Sequence, residues 1–184
     1  LGRNIATSPG KVVYRNKLFE LIQYSPSTEK VDATPIVIFP PWINKFYILD
    51  LKAQNSLVKW IVDQGYTLFM VSWVNPDQSH RDIGMGDYIE DGFLTAIREV
   101  KEITAQEQVH AVGYCIAGTT LSRTCSALER TSSPPSSAFR LSSFASFLVS
   151  SSMVSESFFA SPASPSMVVP NSDIPASALV SVFR

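Results

Sequence analysis

The sequence has little of several residue types, and each shortage argues against a class of protein. It holds 2 cysteines and 2 histidines among 184 residues, with 15 basic and 16 acidic side chains. Two cysteines, Cys115 and Cys125, are too few for a disulfide framework and suit a reducing compartment such as the cytoplasm. The net charge of -1 favours neither nucleic acid nor an anionic membrane as a partner. No apolar run reaches the roughly 18 residues that a bilayer span needs, so we expect no transmembrane segment.

The composition changes near residue 121. Residues 122–184 include 20 serines among 63 residues, and they lack the Gly, Lys, Gln, Tyr, Trp and His that residues 1–121 all use. Yet this tail is rich in Phe, Val and Leu, unlike an ordinary disordered linker. We therefore predict a globular part, 1–121, and a low-complexity Ser/Pro-rich tail, 122–184, that is not a native continuation, for example the product of a shifted reading frame. A genuine low-complexity segment is the alternative.

The first 121 residues alternate strand and helix patterns. The predicted strands are 11–14, 18–24, 35–39, 66–73 and 109–114, the first two joined as a hairpin at 15–17. The predicted helices are 51–64, 87–104 and one that begins at 116. This order indicates an α/β fold with a parallel sheet. It matches the first half of an α/β-hydrolase core, so we expect this chain to contain only about half of the sheet.

Cys115 lies at the most informative point of the chain, between the last predicted strand and the last predicted helix. A nucleophile elbow holds its nucleophile in a strained turn at such a junction, and the neighbouring residues must be small. Gly113, Ala117 and Gly118 meet that need. The backbone N–H of Ile116 would then donate to the oxyanion formed when Cys115 attacks a carbonyl. The alternative is that Cys115 is a small buried apolar residue.

An elbow of this kind needs a base and an orienting acid, which in hydrolases follow the nucleophile in the order Asp, then His. No histidine follows Cys115, and the only acids in the tail are Glu129, Glu156 and Asp173. We expect His80, in the polar loop 75–81, to be solvated, and His110 to pack or to face a loop. The sequence therefore predicts a nucleophile without a catalytic Asp or His, and no metal site.

Five longer motifs occupy residues 2–16, 40–51, 71–77, 87–92 and 113–116. Together they resemble the corresponding motifs of polyhydroxyalkanoate synthases. The resemblance extends over about residues 1–121, in the order and spacing of that family, and it is closest to the class I type that makes short-chain polyesters such as polyhydroxybutyrate. One departure is Ala117, where the family usually has glycine; alanine is still small enough for the turn.

The resemblance implies an acyltransferase that polymerises (R)-3-hydroxyacyl-CoA and releases CoA through a covalent acyl-Cys115, without a cofactor. It also implies a cytoplasmic enzyme, associated with polymer granules and able to form a homodimer. By analogy with hydrolases, a second oxyanion N–H could come from Trp42 or Ile43, in the loop after Phe39.

Because the base is missing, we expect this chain to be a truncated and inactive copy. Two alternatives stay open. One is a cysteine-dependent α/β-hydrolase of the thioesterase or dienelactone hydrolase type, with water as the acceptor. The other is a non-catalytic fragment that binds a full-length partner or a polymer granule.

Overall fold

A five-stranded sheet organises the part of the chain that the structure describes. The structure, a computed structural model, describes residues 2–131, and their side chains as far as residue 126. The strands are β1 (Gly10–Arg15), β2 (Phe19–Tyr24), β3 (Asp32–Phe39), β4 (Asp50–Lys52), β5 (Asn55–Ser56), β6 (Tyr66–Trp73) and β7 (His110–Gly113). The main sheet has the order β1-β2-β6-β3-β7, and β4 and β5 pair separately. Of the predicted tail, residues 132–184 lie outside the described residues.

The helices lie between and after these strands. They are α1 (Leu57–Asp63), α2 (Met85–Asp87), a π-helical segment (Tyr88–Leu94), α3 (Thr95–Thr104) and α4 (Ile116–Thr131), with 3-10 turns at Phe46–Leu49 and Gln78–His80. Helix α4 continues without a break through residue 121, so the predicted boundary at that residue stays a prediction. No helix among the described residues combines the length and apolarity that crossing a membrane requires.

The sheet is mixed rather than wholly parallel. Strand β3 pairs in parallel with β6 on one side and with β7 on the other. Strand β2 runs antiparallel to both β1 and β6. The α/β class and the parallel arrangement of the three later strands are therefore confirmed, and the hairpin adds an antiparallel edge to them.

The hairpin turn is closed by one side chain. The Asn16 side-chain carbonyl accepts hydrogen bonds from the backbone N–H groups of Leu18 and Phe19, at 2.8 and 2.9 Å. Its amide donates to the Asp91 carbonyl oxygen at 2.8 Å, which ties the hairpin to the π-helical segment. Asparagine suits this position because its short side chain can hydrogen-bond to nearby backbone in a turn.

The helix predicted over 51–64 is shorter in the structure, and the prediction is wrong for its first six residues. Ser56 is the N-cap: its hydroxyl accepts from the Lys59 N–H at 2.8 Å. The residues before it form β4 and β5, where buried Asp50 accepts from the Ser56 hydroxyl at 2.7 Å. The apolar residues at helical spacing begin only at Leu57 and lie within α1, so the cap at Ser56 and their pattern agree on where the helix starts.

The core lies mainly between the sheet and the helix of residues 85–104. Phe39 stacks on Phe93 with ring centroids 4.3 Å apart. Trp73 contacts Phe93 at 5.5 Å and Tyr88 at 5.4 Å. Because this layer is aromatic and closely packed, it fixes the ends of β3 and β6, from which the loops beside β7 emerge.

Candidate active site

Cys115 occupies the turn between β7 and α4, as the sequence pattern predicts. Strand β7 ends at Gly113 and α4 begins at Ile116. The φ angle of Cys115 is 55°, in the left-handed region that residues other than glycine rarely adopt. Such strain persists only where the surrounding structure imposes it, and it concentrates at functional sites. The side chain of Cys115 is exposed to solvent.

Two glycines allow the strand and the helix to cross at this turn. A Cβ atom added to Gly113 would lie 2.6 Å from the Gly118 Cα atom and 2.8 Å from the Ala117 carbonyl oxygen. A Cβ atom added to Gly118 would lie 3.1 Å from the Gly113 carbonyl oxygen. Ala117 is fully buried between them. The three small residues predicted for the turn are thus in mutual contact.

The first backbone N–H groups of α4 follow Cys115 directly. The N–H of Ala117 donates to the Tyr114 carbonyl at 3.2 Å, and that of Gly118 donates to the Cys115 carbonyl at 2.9 Å. The first N–H groups of a helix have no acceptor within it, and they lie at the positive end of the helix dipole. Ile116 is the first residue of α4, so its N–H is of this kind. Its role toward an oxyanion stays a prediction.

The loop after β3 begins beside the cysteine turn. Phe39 is in register with Gly113, and the Tyr114 N–H donates to the Phe39 carbonyl at 3.0 Å. The predicted second oxyanion donors follow in this loop: Trp42 packs on Tyr88 with ring centroids 5.2 Å apart, whereas Ile43 is 75% exposed. Ligand sites in α/β sheets are typically found at such adjacent carboxyl ends of strands.

Residues that the sequence reasoning did not single out hold this loop. The indole N–H of Trp73 donates to the Pro40 carbonyl at 2.6 Å in a buried hydrogen bond. The Lys45 ammonium donates to the Asn75 side-chain carbonyl. Both partners lie at or just after the end of β6, in the segment Trp73–Asn75. A tryptophan at the end of a buried strand could have suggested this role, because a buried indole N–H needs an acceptor.

The expectation that His80 is solvated is wrong. Its side chain is only 12% exposed, and its Nδ1 lies 3.1 Å from an Asp77 carboxylate oxygen in a capping box. Its Nε2 is buried without a hydrogen-bond partner among the described residues. Hydrogen bonds from Ser79 and then His80 lower the pKa of Asp77 to about 2. The side-chain contacts of the His80 ring are thus with Asp77 and Ser79, in the loop after β6.

His110 lies at the other end of β7 from Cys115. It is in register with Ile36, whereas the cysteine turn follows Gly113. Each residue of a strand advances about 3.3 Å, so His110 is roughly 10 Å from Gly113 and cannot reach the Cys115 sulfur by a hydrogen bond. Among the described residues no cluster of three His, Cys, Asp or Glu is placed to hold a metal. Glu129, Glu156 and Asp173 lie outside the described side chains.

The chain is similar to known proteins of one class. Residues 1–61 match the family model described as Poly-beta-hydroxybutyrate polymerase (PhaC) N-terminus. The chain is 52% identical over 123 residues to a poly(3-hydroxyalkanoate) polymerase of Methylorubrum extorquens, covering 67% of this chain and 20% of that protein. The resemblance to polyhydroxyalkanoate synthases is thereby confirmed.

Two further relatives are named for the same activity. One is a poly(3-hydroxyalkanoate) polymerase subunit PhaC of Rhizobium etli, 48% identical over 124 residues, or 67% of this chain and 20% of that one. The other, from Cupriavidus necator, is 42% identical over 141 residues, or 77% of this chain and 24% of that one. The chain thus spans about a fifth to a quarter of the length of these curated relatives, and it is a partial relative of the polymerases.

Proposed function

We propose that this chain carries the first part of an α/β-hydrolase-type core from a polyhydroxyalkanoate synthase, with Cys115 as the acyl-accepting nucleophile. One observation carries the proposal: Cys115 has a left-handed backbone between a parallel strand and a helix, where Gly113 and Gly118 touch. A buried structural cysteine would need neither this conformation nor exposure to solvent. The relatives are named as poly(3-hydroxyalkanoate) polymerases, which supports the same interpretation.

The proposed reaction exchanges one thioester for another. The Cys115 thiolate attacks the carbonyl carbon of (R)-3-hydroxyacyl-CoA, and the tetrahedral oxyanion is held by the Ile116 N–H. The carbon–sulfur bond to CoA breaks, the CoA sulfur leaves with the bonding electrons and takes a proton, and acyl-Cys115 remains. The 3-hydroxyl of another unit then attacks acyl-Cys115, loses its proton, forms the ester and releases the thiolate.

Two conditions must hold for this sequence of steps to yield polymer. Water must be kept from acyl-Cys115, since hydrolysis would turn the enzyme into a thioesterase. A general base must also accept the protons of the thiol and of the 3-hydroxyl. Within the described residues, His110 lies at the far end of β7 from Cys115, and the Nδ1 of His80 is held by Asp77. We therefore propose that the 184-residue chain by itself is inactive and that a polymerase needs a longer chain.

The parent synthase of this proposal works in the cytoplasm at the surface of a growing polymer granule, as a homodimer. A reducing compartment suits it because Cys115 must stay a thiol to react. The substrate class is (R)-3-hydroxyacyl-CoA, and no cofactor takes part in either step.

The test compares CoA release from (R)-3-hydroxybutyryl-CoA by three proteins. These are the 184-residue chain, a chimera that continues after Leu121 with the corresponding remainder of the Methylorubrum extorquens polymerase, and the chimera with Cys115→Ser. We expect an inert chain, an active chimera and a nearly inactive serine variant. Because a general base contributes about 10²–10⁴-fold, the first two should differ by at least that factor.

Each other outcome has a distinct meaning. Turnover by the 184-residue chain at the rate of the chimera would contradict the need for a base from a longer chain. Full activity of the Cys115→Ser chimera would contradict the nucleophile. CoA release by the chimera without polymer would favour the hydrolase alternative, in which water takes the acyl group.

A further inference from the structure

Two N–H groups in the loop after β3 have no hydrogen-bond acceptor among the described residues. The loop closes in a turn: the Asn44 N–H donates to the Pro41 carbonyl at 3.0 Å, and Trp42 and Ile43 are the two middle residues. The N–H groups of these two residues are the predicted second donors to the oxyanion at Cys115. Such a donor lowers the barrier only if it is already held where the charge develops, so this turn must be fixed in place.

Two successive carbonyl groups attach the loop to its surroundings. The Phe39 carbonyl accepts from the N–H of Tyr114, the residue before Cys115, at 3.0 Å. The Pro40 carbonyl accepts from the Trp73 indole N–H at 2.6 Å in a buried hydrogen bond. The first bond joins the loop to the cysteine turn, and the second joins it to the end of β6.

The two prolines pass the effect of the second bond on to the turn. The Pro40 carbonyl belongs to the planar peptide that joins Pro40 to Pro41, and the ring of Pro41 fixes the φ angle that follows this peptide. The indole that holds the Pro40 carbonyl therefore also orients the first residue of the turn. A rotation of this peptide would move the N–H groups of Trp42 and Ile43 with it.

The π-helical segment determines where the Trp73 indole lies. A Cβ atom added to buried Gly92 would lie 3.1 Å from the Cη2 and Cζ3 atoms of Trp73, so the indole occupies the space that a side chain would need. Tyr88 packs edge-on against Trp73 and also contacts Trp42, with ring centroids 5.4 and 5.2 Å apart. Single π-helical turns occur frequently at functional sites, and this one contacts both the loop and the residue that holds it.

We propose that Trp73 is a positioning residue for acyl transfer: through the Pro40 carbonyl its indole N–H holds the N–H groups of Trp42 and Ile43 at the oxyanion. Gly92 contributes by leaving room for the indole. The inference rests on the proposed function, in which Cys115 is the nucleophile, and it deepens that function. A tryptophan that only filled the core could be replaced by phenylalanine without any effect on the chemistry of Cys115.

The test compares two reactions of Cys115 in the 184-residue chain. With p-nitrophenyl acetate, the thiolate attacks the carbonyl carbon, an oxyanion forms, p-nitrophenolate leaves with the bonding electrons, and acetyl-Cys115 remains. With iodoacetamide, the thiolate displaces iodide from a saturated carbon and no oxyanion forms. Mass spectrometry of the cysteine peptides separates Cys115 from Cys125. The ratio of acylation to alkylation therefore measures oxyanion stabilisation independently of the exposure of the thiol, and glutathione gives the reference ratio.

We expect the unsubstituted chain to have a higher ratio than glutathione. Trp73→Phe, which keeps a ring in the core but removes the N–H, should lower this ratio by up to about 10²-fold, as a misplacement of about 1 Å can. Its alkylation rate should not change. Gly92→Ala should lower the ratio by a smaller factor, because it displaces the indole without removing the N–H. The matched control is Trp60→Phe, on the exposed side of α1, which should leave the ratio unchanged.

The outcomes separate this inference from the proposed function. An unchanged ratio in a folded Trp73→Phe chain, or an equal fall in acylation and alkylation, would overturn the positioning role alone. A ratio for the unsubstituted chain no higher than that of glutathione would contradict the oxyanion site at Cys115, and the inference with it. Urea unfolding shows whether each variant is folded. If Trp73→Phe does not fold, Gly92→Ala decides, and an unchanged ratio in that variant overturns the inference.

Discussion

The Ser8 hydroxyl donates a 2.8 Å hydrogen bond to the Asp50 carboxylate, 42 positions along the chain. The Ser8 backbone N–H donates to the same carboxylate at 3.0 Å, and the Ser56 hydroxyl donates at 2.7 Å. The Ala6 N–H reaches the Asp50 backbone carbonyl at 2.8 Å. Asp50 is fully buried, so these donors replace the hydrogen bonds that water would give its carboxylate. Through them the carboxylate connects the segment before β1 to β4 and β5.

Ser8→Ala should therefore destabilise the chain. It removes one donor to a buried carboxylate, a loss of about 1.5–3 kcal/mol in the free energy of unfolding. The matched control is Ser27→Ala, whose hydroxyl donates to the exposed Asp63 at the same 2.8 Å. Urea unfolding of both variants measures the difference. Equal effects at the two positions would show that burial of Asp50 does not strengthen its hydrogen bonds.

Gly113→Ala should be costly because the added methyl group would meet backbone at 2.6–2.8 Å. Overpacking of this kind typically costs about 1–3 kcal/mol, and rigid backbone on both sides favours the upper end. Gly86→Ala is the control, since nothing lies within 4 Å of a Cβ atom added there. In thermal unfolding, the Tm of Gly86→Ala should equal or exceed that of the unsubstituted chain. A well-tolerated Gly113→Ala would contradict the close crossing of strand and helix.

Cys115→Gly should be more stable than Cys115→Ala. Alanine keeps the left-handed strain at φ 55°, whereas glycine is free of it. The gain is roughly 1 kcal/mol once the greater backbone entropy of unfolded glycine is subtracted. At Ser122, in the interior of α4, the glycine variant should instead be about 1 kcal/mol less stable than the alanine variant, and this pair serves as the control in chemical denaturation. The same sign at both positions would argue against strain at Cys115.

Tyr24→Phe should change how stability depends on pH. Burial, and then the charge of Asp50, raise the pKa of the Tyr24 phenol well above its usual 10.0. Its contribution to stability is therefore present below pH 10 and is lost as the pH rises, because the unfolded chain then ionises first. Urea midpoints measured from pH 8 to 11 should fall less steeply for Tyr24→Phe.

The same variant should not be weaker at pH 7. The Tyr24 hydroxyl is buried without a hydrogen-bond partner among the described residues, so phenylalanine removes an unsatisfied group. A large loss of stability at pH 7 would reveal a partner for this hydroxyl beyond the described part of the chain. Identical pH profiles for the two proteins would contradict the raised pKa.

The sequence predicted the elements whose signals are local. The apolar runs at 35–39 and 66–73 predict buried strands. The small residues Gly113, Ala117 and Gly118 predict a tight turn between strand and helix. These predictions are correct because they depend on burial or on contacts between residues that are close together in the sequence. They locate Cys115 at the turn, but they do not test its chemistry.

What the sequence missed depends on distant partners. The sequence predicts a helix for residues 51–56 as well, yet Asp50 hydrogen-bonds to Ser8 and Ser56, and these residues form β4 and β5. His80 lies among polar residues, yet Asp77 folds its ring inward. In both cases a contact that no short window of sequence reveals outweighs local propensity.

The π-helical segment Tyr88–Leu94 determines which side of α3 faces the sheet. The Thr95 N–H and hydroxyl both bond to the Glu90 carbonyl, five residues back, and this wide turn presents Gly92 to the Trp73 ring. Excising one residue here would restore ordinary α-helical spacing and turn α3 by about 100° relative to the sheet. Ala96 and Val100, both now fully buried, would rotate away from the core. This helix therefore tolerates substitutions more readily than changes of length, and an insertion or deletion near Leu94 would misalign the face that supports β3.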